Sequence, residues 1–306
     1  MVMTPDLSVQ IGPLLMPNAV GVASGTFGYG EEYEKLIDLD RLGTIWTKAV
    51  TPAPRAGNPP PRIVETPSGM LNTIGLANPG VEAFITKKLP ELAQLRCAVV
   101  VNVAGACEDD YLAVISALEP HAGIGGYELN LSCPNVKHGG LSFGTDPEQV
   151  ERITARARAL TRRALVVKLT PNVTDITVIA KAAEAGGADA VSCINTLIGM
   201  VIDIKARRPV LSMKTGGLSG PAVKPVGVAC VYKVSRAVAI PVIGMGGIMR
   251  AEDAIEYLLA GASAIQVGTG VFVDPGIPLK VLDGVRAWME ANGVAKVSDI
   301  KGLLKA

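Results

Sequence analysis

Aromatic residues are scarce in this sequence: Phe, Trp and Tyr make up 4% of its 306 residues, against 49% for hydrophobic residues as a whole. The core must therefore be built from Val, Ile, Leu and Ala, as in parallel sheets covered by helices. Cysteine is scarce too. Cys97, Cys107, Cys133, Cys193 and Cys230 are odd in number and form no CxxC pair, which argues against a disulfide framework and against a zinc or iron–sulfur site held by this chain. An excess of charge of either sign is missing. With 29 basic and 28 acidic side chains the net charge is +1, and no Lys/Arg run offers a nucleic-acid patch. No apolar run reaches the roughly 18 residues of a membrane-spanning helix. The opening MVMTPDLSVQIG has neither the charged nor the apolar region of a signal peptide, so a cytoplasmic location is expected.

Glycine and proline are plentiful, at 34 and 21 residues, which suits many loops that approach a ligand closely. Short β-rich runs alternate with amphipathic patterns from end to end. The runs predict strands at 19–23, 44–49, 98–103, 127–131, 165–169, 190–194, 241–245 and 264–267. Helical patterns lie between them, as at 147–161, 175–185, 225–238 and 251–259. Asp146 before Pro147 reads as an N-cap, Pro147 and Pro225 suit a first helical turn, and Gly186 and Gly261 read as C-caps. Eight strands with crossover helices predict an α/β fold, a (β/α)8 TIM barrel occupying residues 1–306 as one domain. A doubly wound open sheet is the alternative, but it would want an early GxGxxG turn that is absent. Two insertions, 52–72 and 199–220, read as β-hairpin excursions over the C-terminal face of the barrel. No internal repeat is evident.

Active sites of such barrels lie at the C-terminal strand ends. Each expected strand delivers a small or hydrogen-bonding group there: Ser24-Gly25, Lys48-Ala49, Asn102, Asn130 with Cys133, Lys168, Asn195-Thr196, Gly246-Gly247 and Gly268-Thr269. Singly, Asn and Gly merely end strands; eight together are poorly explained as punctuation. Lys48 and Lys168 rise through apolar strands. A core-facing lysine needs a partner, either a structural one or an anionic or electron-rich ligand. The glycines of Gly244-Met245-Gly246-Gly247 and Gly268-Thr269-Gly270 either make tight turns or let backbone N–H groups reach a phosphate. Asn72, Asn130 and Asn195 could read a planar ligand with donors and acceptors, whereas Asn78 before Pro79 reads as an Asx turn. Cys133 is held against Pro134 at the polar mouth of a strand. It either packs as a small hydrophobe or serves chemistry.

Together NTIGLANPG (72–80), ELNLSCPN (128–135), INT (194–196), the glycine pair 246–247 and the Gly-Thr at 268–269 resemble the dihydroorotate dehydrogenases, flavin enzymes of pyrimidine synthesis. The resemblance runs over nearly the whole chain and implies an FMN-binding (β/α)8 barrel. It implies that FMN is held by Ser24, Lys48, Ala49, Asn102, Asn130, Lys168, Ile194, Gly220, Gly246, Gly247, Gly268 and Thr269. Dihydroorotate would contact Lys48, Asn72, Thr73, Ile74, Gly75, Leu76, Asn130, Asn195 and Thr196, with Asn135 within reach. Cys133 matches the catalytic base. It would take the C5 proton, on the face opposite the flavin, while C6 gives a hydride to FMN. Lys137 and His138 would help to lower its pKa. Lys168 would stabilise charge on the reduced ring. The 134–146 loop is expected to close over substrate.

The base also sorts the family. The membrane-associated, quinone-linked class carries Ser and an N-terminal extension, whereas Cys133 and the absence of an extension resemble class 1. The run VKHGG after SCPN resembles class 1B. That class passes electrons to NAD+ through a separate subunit with FAD and a 2Fe–2S cluster, in a heterotetramer of two catalytic and two electron-transfer chains. The alternatives are the fumarate-linked class 1A, a dihydropyrimidine dehydrogenase-like FMN barrel, which normally belongs to a longer chain with iron–sulfur motifs, and a non-catalytic scaffold barrel.

Overall fold

The computed structural model describes residues 4–131, 134–135 and 141–305. Eight short strands close into a barrel: β1 (Val20–Val22), β2 (Thr44–Trp46), β3 (Ala98–Val103), β4 (Gly126–Asn130), β5 (Ala164–Leu169), β6 (Ala190–Cys193), β7 (Val242–Met245) and β8 (Ala264–Val267). Every neighbouring pair is parallel, and β8 returns to β1 with Gln266 opposite Gly21. All eight expected strands are present, with ends shifted by a few residues. β2 stops earlier than expected because the Lys48 N–H leaves the ladder and donates to Gly28 O at 2.8 Å.

The strands are buried on both faces, which is why they read as near-continuous apolar runs. The side chains facing inward are often polar: Thr44, Asn102, Glu128, Lys168, Ser192 and Gln266 are all less than 9% exposed. The outer faces meet the helices. Pro147–Leu160 starts on Asp146, whose carboxylate accepts from the N–H groups of Glu148 and Gln149, and Ile176–Ala185 starts likewise on Asp175. Capping of this kind contributes about 1 kcal/mol. Lys224–Val234 and Ala251–Ala260 follow β6 and β7. Ile176–Ala185 ends on Gly186 as its C-cap, as expected. Gly186 keeps helical backbone (φ −72°), and Gly187 takes the left-handed turn (φ +86°). Gly261 caps its helix at φ +121°.

A hairpin of Val9–Ile11 and Leu14–Met16 plugs the N-terminal end, with the Leu14 side chain against Gly125 at the start of β4. At the opposite end the two insertions pair with each other. Ile63–Thr66, Gly69–Asn72, Thr215–Ser219 and Leu197–Met200 form one antiparallel four-stranded roof, joined by Asn72↔Gly217, Leu218↔Leu71 and Ser219↔Met70. Both insertions were expected as β-hairpin excursions; their union is a non-local pairing that local patterning does not encode.

Candidate active site

The C-terminal strand ends converge beneath the roof. Lys168 projects inward from β5 and is 6% exposed. Its ammonium donates to Ser24 Oγ at 3.0 Å, its one hydrogen-bond partner among the described residues. Asn102 Nδ2 donates to the same hydroxyl at 3.2 Å and to Glu128 Oε2 at 2.8 Å. Asn130 Nδ2 lies 3.5 Å from Asn102 Oδ1, and the Tyr111 hydroxyl donates to the Asn130 carbonyl at 2.9 Å. Four residues at or just beyond the C-terminal ends of β1, β3, β4 and β5, namely Ser24, Asn102, Asn130 and Lys168, thus form one connected polar layer. Lys48, two residues beyond the end of β2, is half-buried and makes no ion pair among the described residues.

The β7 and β8 ends are built differently. Gly246 and Gly247 have φ +123° and +70°, and a Cβ on Gly247 would sit 2.8 Å from Gly220 O. Tyr257 props this turn from behind, donating to Gly246 O at 2.7 Å. Burial holds its phenol far above the ordinary tyrosine range, so it remains a donor at any physiological pH. Thr269 and Ser219 share a hydroxyl hydrogen bond of 2.7 Å, which brings 219–220, 246–247 and 268–269 together. No protein acceptor meets the N–H groups of Gly246, Gly247, Gly268 or Thr269 among the described residues. A Cβ on Gly25 would meet nothing within 4 Å, and one on Gly268 would meet only Ala23 and Thr26. Ile194, 4% exposed, closes the side next to Gly246.

The roof supplies the remaining groups. Asn72 Nδ2 donates to Gly217 O at 3.5 Å, and the Thr196 side chain lies where a Gly217 Cβ would be, so the two residues meet across that glycine. Thr196 N donates to Asn195 Oδ1, and Asn172 Nδ2 holds Thr196 O at 2.9 Å. Asn58 clamps the 73–75 turn: its Nδ2 donates to Thr73 O at 2.9 Å, and its N–H donates to Ile74 O at 3.0 Å. Gly75 (φ +74°) fits against Asn58, and Leu76 packs on Ala49 and Ala104 at the ends of β2 and β3. Asn78 makes the expected Asx turn, accepting from Gly80 N at 2.9 Å.

The family model of dihydroorotate dehydrogenase matches residues 6–289. The chain belongs to the dihydroorotate dehydrogenase family. It is 52% identical to the dihydroorotate dehydrogenase B (NAD(+)), catalytic subunit, of Trichlorobacter lovleyi, over 99% of this chain and all of that one. It is 49% identical, over the same shares, to a Solibacter usitatus protein provisionally named dihydroorotate dehydrogenase A (fumarate). Among solved structures, the Eimeria tenella enzyme in complex with ferulenol superposes with a TM-score of 0.80 at 26% identity, covering 98% of this chain and 88% of that one.

Membership in the dihydroorotate dehydrogenase family implies FMN, and the residues present fit it. Lys168 is buried with donors to spare, unpaired N–H groups line a glycine pocket, and Gly25 and Gly268 border open space. Cys133, Lys137 and His138 lie outside the described residues. Of the segment expected to close over substrate, strand Pro134–Asn135 pairs with Leu141–Ser142. At two other thiols burial disfavours the thiolate: it pushes Cys97 up to about 12 and also raises Cys193. Sequence reasoning assigned no role to Glu128, Ser192, Tyr257, Asn58 or Asn172. Glu128 carried a usable signal, since it stands two residues before Asn130 on one strand and so shares its inward face. Asn58 and Asn172 carried none, because loop partners have no periodicity.

Proposed function

We propose that the chain oxidises (S)-dihydroorotate to orotate in pyrimidine biosynthesis, as one FMN-binding domain. The observation that carries this reading is the connected layer of Lys168, Ser24, Asn102 and Asn130 beside a glycine pocket of unpaired N–H groups. Ser24, Lys48, Ala49, Asn102, Asn130, Lys168 and Ile194 would hold the FMN ring, and Gly220, Gly246, Gly247, Gly268 and Thr269 its phosphate end. Bound there, FMN supplies a hydride acceptor. Lys168 places a fixed positive charge where negative charge develops, with no reorganisation at the moment of reaction. Asn72, Thr73, Ile74, Gly75, Leu76, Asn195 and Thr196, with Lys48 and Asn130, offer donors and acceptors to a planar ring, and Asn135 is a further substrate contact. Cys133 takes the C5 proton. The 134–146 segment excludes water.

The name "catalytic subunit" among the relatives supports a separate electron-transfer partner. We assign that partner FAD and a 2Fe–2S cluster, with NAD+ as final acceptor, in a heterotetramer of two chains of each kind in the cytoplasm. No helix among the described residues is long and apolar enough to cross a membrane. The Solibacter usitatus relative favours a second reading, with fumarate as acceptor. Assays of the chain alone with fumarate, quinone and NAD+, then with a co-purified partner, decide between them; NAD+ reduction only with the partner is expected. Dihydroorotate should bleach the flavin spectrum of the purified protein, and a colourless protein or an unresponsive flavin would sink the proposal. Cys133→Ala should retain FMN but reduce it about 10²–10⁴-fold more slowly at neutral pH; an unchanged rate rejects the thiol as base.

A further inference from the structure

Beneath the polar layer lies a carboxylate that the chemistry above does not use. Glu128 is fully buried in the middle of β4 and faces the barrel interior. Oε2 accepts from Asn102 Nδ2 at 2.8 Å, and Oε1 accepts from Ser192 Oγ at 2.6 Å. It makes no ion pair among the described residues. A carboxylate in such a place costs more than an apolar side chain unless its hydrogen bonds are made and serve a purpose.

The purpose follows from the polarity of the hydrogen bonds. An amide can present either of its ends, whereas a carboxylate only accepts. Glu128 therefore draws the NH2 end of Asn102 downward, which leaves Oδ1 on the side of Asn130. The same NH2 donates to Ser24 Oγ, which also accepts from Lys168 Nζ. With both bonds accepted, the Ser24 hydroxyl proton is free to point out of the layer. A chain of bonds running Glu128–Asn102–Ser24–Lys168 thus has its direction set by its acceptor-only end.

We propose that Glu128 is a positioning residue that fixes the amide orientation of Asn102 and, through Ser24, the seat of the Lys168 ammonium, so that a bound ligand meets a preset pattern of donors and acceptors. The proposal rests on the FMN reading and deepens it. The test is FMN binding to the full-length apoprotein, followed by quenching of flavin fluorescence, with no turnover involved. Glu128→Met and Asn102→Ala should each weaken FMN about tenfold, the scale of one buried hydrogen bond lost. The double variant should lose about tenfold and not a hundredfold, because the two residues act as one unit. Glu128→Gln, which keeps an acceptor oxygen, should stay within about threefold of wild type on the same scale. A hundredfold loss in the double variant, or wild-type affinity in Glu128→Met, overturns the proposal.

Should Glu128→Met not fold, a swap decides. Asn102→Asp sets acceptor against acceptor and should weaken FMN at least about tenfold. Adding Glu128→Gln gives the new carboxylate a donor but restores none to Ser24, so it should recover only part of that loss; equal weakness with and without it, or full recovery of wild-type affinity, overturns the proposal. If wild-type apoprotein takes up no FMN, the flavin reading has failed. If it binds FMN and shows no coupling, only the role of Glu128 has.

Discussion

The rim of this barrel is made in two ways. From β3 to β5 it presents side chains, Asn102, Asn130 and Lys168, each held by a neighbour's hydrogen bond. At β7 and β8 it presents backbone, with glycines leaving N–H groups open and Tyr257 bracing the turn from behind. The difference teaches how each half can fail. Side-chain binding fails when a supporting partner is lost. Backbone binding fails when a Cβ is added.

The largest effect is expected at Lys168. Lys168→Met should slow flavin reduction by about 10²–10³-fold, the usual loss when a preorganised electrostatic group is removed. Stopped-flow measurement at 450 nm checks this, and a loss smaller than tenfold would reduce Lys168 to a packing role. On the backbone side, Gly247→Ala puts a Cβ at φ +70° and 2.8 Å from Gly220 O. It should destabilise the apoprotein by about 1–2 kcal/mol or more and weaken FMN with it. Gly268→Ala separates the two consequences. Its φ is not positive and its Cβ would touch only Ala23 and Thr26, so the apoprotein Tm should hold while FMN affinity falls. If both glycine variants lower apoprotein stability equally, the division of the rim is wrong at β8.

A smaller effect concerns the support of the glycine turn. Lys224 packs behind Gly247 and pairs with Asp253 at 2.8 Å and Glu256 at 2.7 Å. Burial opposes ionisation of Asp253, but the Lys224 ammonium and the N–H groups of Met249 and Arg250 hold its pKa below the usual value; the two carboxylates raise that of Lys224. A depressed acid contributes stability above its unfolded pKa and loses it as pH falls through its folded value, and a raised base does the reverse. The pair should therefore stabilise fully between about pH 4 and 10 and less outside that range. Asp253→Asn should flatten the acid side of a Tm-versus-pH profile; an unchanged profile removes the pair from the account. Smallest is Asp146→Ala, expected to cost about 1 kcal/mol in urea unfolding through the lost helix cap, with FMN affinity untouched.

The barrel was legible because β-branched runs and helical periodicity alternate eight times, and because each strand ends in a polar or small group. The glycine half of the rim was legible for the same reason: closely spaced glycines at two successive strand ends have few other uses. What escaped was support rather than contact. Tyr257 sits on a helix as an ordinary buried aromatic, and nothing in its local pattern points at Gly246 O. Glu128 opens the ELNLSCPN run at 128–135, but its partner Ser192 comes 64 positions later, and only closure of the barrel brings them together.

The joined roof has a consequence in time. Asn72 and Gly217 are 145 positions apart, so their pairing must wait until most of the barrel has closed the intervening loop. Elements assembled late through distant partners are commonly the first to open locally. Amides of Gly69–Asn72 and Thr215–Ser219 should exchange with deuterium sooner than those of β4 and β5, and an enzyme near its thermal limit should release substrate before it releases flavin.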